Sequence, residues 1–154
     1  MATDVKFSVK DAVNKQYLSP VTVSDELRDK FLRKSRASSI KLLPVSVIIS
    51  AIVLAIIILL IHFVRFFVIS AAGIICIALP IYAVYNVFAT AKAIKTGDYE
   101  FLSGEITGKN DSGYVIKGLE DHNISPLIGK SEYSPEERVI IARLGDDLSL
   151  IAEE

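Results

Sequence analysis

Hydrophobic positions are distributed very unevenly along this chain of 154 residues. Residues 1–20 show no sustained period. Val9, Val13 and Tyr17 fall four apart, which leaves room for a short helix before Ser19-Pro20 closes the stretch, and residues 1–21 read as a flexible N-terminal arm. Thr22-Val23-Ser24-Asp25-Glu26 then supplies capping hydroxyls followed by acids, with Thr22 and Asp25 spaced as a capping box. A helix over residues 22–41 follows, carrying a narrow apolar stripe of Leu27, Phe31 and Leu32.

From Leu42 to Ala89 the alternation disappears. Residues 42–61 and 66–89 contain no Asp, Glu, Lys or Arg. A bilayer core of about 30 Å takes about 20 apolar helical residues, so the block predicts two transmembrane helices, 42–61 and 66–95. Pro44 falls in the opening turn of the first, where a missing N–H costs little. Pro80 should kink the second, and the second continues past the membrane as a cytoplasmic extension to Lys95. The connection His62-Phe63-Val64-Arg65 is too short for anything but a tight helical hairpin. Tyr82 and Tyr85 mark one interface, and Phe63, Phe66 and Phe67 the other.

Gly97 is placed to stop the second helix in a left-handed conformation. Beyond it the period changes to short β segments separated by turn residues. Strands are predicted at Tyr99–Lys109, Tyr114–Leu119, Pro126–Gly129, Arg138–Leu144 and Leu148–Ala152, with Gly104 allowing a bend or bulge. Phe101, Ile106, Val115, Ile116, Leu119, Leu127, Val139, Ile141, Leu144, Leu148 and Leu150 supply the expected core. The fold class is therefore an α+β membrane protein: a transmembrane hairpin followed, over residues 98–152, by a small five-stranded antiparallel β-barrel of SH3-like or OB-like type, closed to leave no exposed edge.

Composition sharpens this reading. Half the chain is hydrophobic (51%), which excludes a disordered protein, and one Cys excludes a disulfide scaffold. The net charge of −1 conceals +4 over residues 1–41, +3 over 42–97 and −8 over 98–154. Arg28, Lys30, Arg33, Lys34, Arg36 and Lys41 crowd the entry to the first span. The positive-inside rule then puts both termini in the cytoplasm and the hairpin in the plasma (inner) membrane. The polar, mixed-charge opening does not read as a signal peptide. Those six basic residues suit the anionic headgroup layer, or the chain's own acidic domain. The acidic C-terminal domain excludes nucleic acid as a partner, and leaves the lipid bilayer with either a protein partner or self-association.

Small residues at spacings of three and four mark the packing faces of the hairpin: Ser46, Ser50, Ala51 and Ala55 on the first helix, and Ala72, Gly73 and Cys76 on the second. No ionisable group lies at depth in either span, which argues against transport. No Gly-rich phosphate loop, CxxC or HExxH occurs, and two His with one Cys cannot close a zinc site. Glu120-Asp121-His122-Asn123 reads as a solvated loop. Asp98, Glu100 and Glu105 read as a solvated strand face, and Tyr99, Tyr114 and Tyr133 as packing residues. The expectation is a non-enzymatic protein without cofactor or metal.

In architecture the chain resembles small bacterial two-span membrane proteins with a C-terminal β-barrel. The resemblance covers residues 42–152 and rests on the basic-flanked helical pair, on Lys95-Thr-Gly-Asp-Tyr99, and on Arg138-Val-Ile-Ile-Ala-Arg-Leu-Gly145. It supports the fold. Barrel edges and acidic rims suit docking to a basic peptide or domain, so the expectation is an anchored barrel that docks or organises a partner, with Glu136, Glu137, Asp146 and Asp147 as the acidic rim. The alternative is an accessory subunit assembled through its hairpin.

Overall fold

A computed structural model describes residues 4–60 and 66–152, with side chains described for 4–58 and 73–152. The element order is α1 (Val5–Asn14), β1 (Ser19–Pro20), α2 (Asp25–Leu60), α3 (Phe66–Thr96), β2 (Tyr99–Asn110), β3 (Gly113–Ile116), β4 (Ser125–Ile128), β5 (Arg138–Leu144) and β6 (Asp147–Ile151). The fold is α+β and divides into two compact units, Met1–Lys34 with Ala93–Glu154, and Ser35–Lys92.

The first unit is built on a six-stranded sheet of order β1-β2-β5-β6-β4, with β3 paired to β2. It is an open sheet, not the closed five-stranded antiparallel barrel expected from sequence. Two features account for the difference. The β4 strand runs parallel to β6, which no hairpin rule anticipates. And β3 reaches back towards β4 through one isolated bridge, Tyr114 to Ile124, rather than a ladder. The sheet edges are managed by brevity: β1 has two residues and includes a proline, and β4 has four with another.

Both faces of the sheet are covered. On one, Val9 and Ala12 of α1 pack with Leu18, Leu102, Ile106, Ile116 and Ile141. On the other, Leu27 and Phe31 of α2 and Ala93 of α3 pack with Ala142, Leu144 and Ile151. Alternate residues of β5 therefore enter different cores: Val139 and Ile141 in the first, Ala142 and Leu144 in the second. Leu102, Tyr114, Ile124, Ile128, Ala142 and Ile151, absent from the expected core, are all buried.

Where the sequence suggested a flexible arm, α1 is a helix whose Val9 and Ala12 are fully buried, and β1 pairs with β2. The physical reason lies 86 positions beyond Leu18 in sequence, at Gly104. A Cβ on Gly104 would stand 2.6 Å from Leu18 Cδ2 and 2.8 Å from Ile141 Cδ1, so this glycine is the socket that admits Leu18. The bulge in β2 falls instead between Ile106 and Gly108.

The basic helix and the first span are a single helix. Its cap is Ser24, not Thr22: Ser24 Oγ accepts from Leu27 N at 3.3 Å, and its carbonyl accepts from Arg28 N at 3.0 Å. Pro44 is consequently well inside α2 and not in its first turn. Gly97 ends α3 as expected, at φ 68°, with Asp98 N donating to Ala93 O at 2.9 Å.

The second unit contains two helical stretches long and apolar enough to cross a membrane, within Asp25–Ile58 and Gly73–Thr96. Its antiparallel seam is fixed at two points. The Ser39 and Thr90 hydroxyls share a hydrogen bond of 2.8 Å, and Cys76 Sγ donates to Ser50 O at 3.5 Å. Ser46 is buried and returns its hydroxyl to Leu43 O at 2.8 Å. Large apolar residues point outward, among them Ile48, Ile52 and Ile56 on α2 and Ile77, Ile81 and Phe88 on α3.

Candidate functional site

The expected packing residues separate into those on the seam and those off it. Ser46 is buried, and Ser50 and Cys76 are half-buried at the crossing described above. Ala51 and Ala55 are exposed. Each is one position, about 100° of helix, past Ser50 or its next-turn neighbour, so only one of the two small-residue rows can face α3. Gly73 is half-buried, but a Cβ there would meet nothing within 4 Å among the described residues. The Ala72 side chain, the connection 62–65, and the Phe66 and Phe67 side chains lie outside the described residues. The Ser39–Thr90 bond was missed because two hydroxyls 51 positions apart carry no local signal.

Of the basic set, Arg28 pairs with Asp25 at 2.9 Å and Asp29 at 3.4 Å, and Arg33 Nε donates to Asp29 O at 3.4 Å. Lys34, Arg36 and Lys41 are exposed, and Lys30 is half-buried.

The four acids do not form one rim. Glu136 and Glu137 precede β5, whereas Asp146 and Asp147 follow it. Seven extended residues separate the pairs, a span of roughly 20 Å. Glu137 is structural: its carboxylate accepts from Lys130 at 2.8 Å and from Ser134 N at 2.9 Å. The Lys130 hydrogen bond and then the Ser134 N–H hold it below its ordinary pKa. Glu136, beside it, is exposed at φ 65°.

Asp146 and Asp147 are exposed side by side on the β5–β6 turn. The surrounding protein, and then the charge of Asp146, push the Asp147 carboxyl above its ordinary value of 3.8. Ionised Asp147 is thus opposed by its surroundings at neutral pH. A raised folded-state pKa gives stability that is full below the unfolded value and is lost as pH rises through the folded one. Asp147→Asn should therefore raise the thermal midpoint at neutral pH, and that gain should vanish below 3.8. Equal gains at both pH values would show that the substitution acts by packing.

The best-organised polar cluster was read from sequence as a solvated face. Arg143 on β5 stands directly opposite Glu100 on β2. It is 8% exposed, the lowest of any charged residue described as buried. Its Nε donates to Glu100 Oε1, and its Nη1 donates to Asp98 Oδ1 at 3.0 Å and to Gly145 O at 2.7 Å. The second Asp98 oxygen accepts from Lys6 Nζ of α1 at 2.6 Å. Burial opposes the guanidinium charge, but the bonds to Glu100 and Asp98 outweigh it and Arg143 stays protonated. Asp98 is held below its ordinary value, by Lys6 first and Arg143 second. The cluster ties the end of α3, two strands and α1 together through Lys6, which is not one of the six basic residues from Arg28 to Lys41.

The remaining candidates are packing groups. Tyr114 and Tyr133 meet edge to face with centroids 5.5 Å apart, and Tyr99 meets Phe101 at 6.0 Å. His122 Nε2 lies 3.1 Å from Ser8 Oγ, so the 120–123 loop leans on α1. Among the described residues no three His, Cys, Asp or Glu side chains gather as metal ligands. No family model matches the chain, and no curated protein or solved structure does either.

Proposed function

We propose that this protein is a non-enzymatic membrane anchor for a small docking domain: α2 and α3 cross the plasma membrane as a hairpin, both termini are cytoplasmic, and the sheet domain recruits a partner. The observation that carries this reading is the inverted polarity of the Ser35–Lys92 unit. Among the described residues its buried side chains are Ser46, Ala83 and Thr90, while Ile77 is 66% and Phe88 71% exposed. In water such a surface would cost about 25 cal/mol for each Å² left uncovered. In lipid it costs nothing, and small residues are what let two helices approach there. Tyr82, Tyr85 and Phe88 are exposed close to Lys92, a placement that suits the headgroup boundary.

For the partner, the separation of the acids selects one pair. Glu137 is already satisfied by Lys130 and Ser134, whereas Asp146 and Asp147 repel each other. A basic segment docked on that turn would relieve the repulsion.

Two measurements test the two halves of the reading. Alkaline carbonate should leave the chain in the membrane pellet, and its release would refute the anchor. Asp146→Lys with Asp147→Lys should abolish recovery of co-purifying protein, while Glu136→Lys alone leaves it intact. The reverse ranking would refute the assigned docking turn.

A further inference from the structure

Beside the charged cluster, α1 and the sheet leave an open groove of about 350 Å³, within the range of small-molecule sites. Its floor is apolar, made by Val9 and Val13 of α1, Pro20 of β1 and Leu102 of β2. Its polar wall is Lys6, Lys10, Arg143 and Glu100. We propose that this groove binds a small anionic amphiphile, a carboxylate or phosphate monoester on a short hydrocarbon body, held by Arg143 and Lys10 over the Val13–Leu102 floor.

Charge favours an anion. Asp98 and Glu100 take up Lys6 and Arg143 in ion pairs, Asp146 acts on Lys6 from beyond contact distance, and Lys10 is left on the groove wall with no ion pair among the described residues. Geometry supplies the contact. Arg143 commits Nε and Nη1 to Glu100, Asp98 and Gly145, and these bonds leave its Nη2 among the described residues without a hydrogen bond. A guanidinium held this rigidly has lost its side-chain freedom before a ligand arrives, so a further charge-assisted bond to an oxyanion carries little ordering cost. Lys10 is exposed, on the same α1 helix as Val9 and Val13, and can close over a bound anion. The floor favours an amphiphile over a bare inorganic ion, because Val13 and Pro20, the two of its four apolar residues that are not fully buried, would stay wetted.

The test uses the full chain in lipid nanodiscs, with methyl-labelled Val and Leu read by NMR. Hexanoate, hexyl phosphate and hexan-1-ol are titrated in parallel through the millimolar range. Saturable shifts of the Val13 and Leu102 methyls are expected with one or both anions. They should weaken about tenfold or more in Lys10→Glu and less in Lys10→Gln, with the unperturbed Val139 and Leu150 methyls of the same core reporting intact fold. Response to hexyl phosphate alone narrows the ligand to phosphate monoesters, and response to hexanoate alone narrows it to carboxylates. Equal response to hexan-1-ol, no saturable shift, or undiminished affinity in both Lys10 variants overturns the proposal. None of these outcomes depends on the docking turn at Asp146–Asp147.

Discussion

Arg143→Gln is expected to lower the stability of the sheet domain by about 2–4 kcal/mol, less than the full cost of breaking a deeply buried ion pair because its partners can hydrate. The substitution removes the donors on which Glu100 and Asp98 close, and it leaves Gly145 O without its side-chain partner. Asp98 and Glu100 side chains are 32% and 42% exposed, so water reaches both carboxylates. Lys6→Ala should cost far less, since its ammonium is half exposed and the apolar packing of α1 remains. The chain has no Trp, and the long helices α2 and α3 would dominate a far-ultraviolet spectrum. The measurement is therefore hydrogen exchange of β2 and β5 amides, which reports opening of the sheet itself. A change below about 0.5 kcal/mol, ordinary for a surface substitution, would show the cluster to be energetically idle.

The same cluster contributes to the acid sensitivity of the domain, as Glu137 does through Lys130 and Ser134. Asp98 has a folded-state pKa below its ordinary 3.8. Its contribution is full above that unfolded value and is lost as pH falls through the folded one. Arg143→Gln should shrink this acid-side loss without abolishing it, because Lys6 is the larger cause of the shift.

The apolar block, the stop at Gly97 and the β5 run were legible because each is a local pattern. The open sheet was not. A closed barrel follows from counting strands, whereas the parallel pairing of β4 with β6 depends on which of two distant segments reaches the edge first. The N-terminal segment was legible only as a possible helix. Val9 and Leu18 look like isolated apolar residues until Gly104 provides the space for them. Ala51 and Ala55 satisfied the same small-residue rule as Ser46 and Ser50, and only the seam distinguishes the rows. The Arg143 cluster carried a signal that could have been used. An arginine inside the alternating run Arg138–Leu144, with acids two apart at the start of another strand, is the pattern of a cross-strand charge pair.

The second large effect is expected at Phe31, where α2 meets the sheet. Phe31 is 1% exposed and meets Phe101 edge to face, with centroids 5.6 Å apart at 74°. It shares a buried cluster with Leu27, Ala93, Ile128, Ala142, Leu144 and Ile151. Loss of its ring would leave a cavity in that cluster. Phe31→Ala should therefore cost about 3–5 kcal/mol. Phe101→Ala should cost less, because its side chain is only half-buried. The double variant should show a coupling of about 0.5–1.5 kcal/mol, the share belonging to the ring pair rather than to burial. Leu54→Ala is the matched control: Leu54 is 52% exposed on the outer side of α2, and the sheet should not sense its loss. Exchange of β2 and β5 amides again reads the result. If Phe31→Ala and Leu54→Ala were indistinguishable there, the base of α2 would not be a structural part of the sheet domain. If only Phe31→Ala accelerates exchange, the first turns of α2 belong to the sheet domain's core.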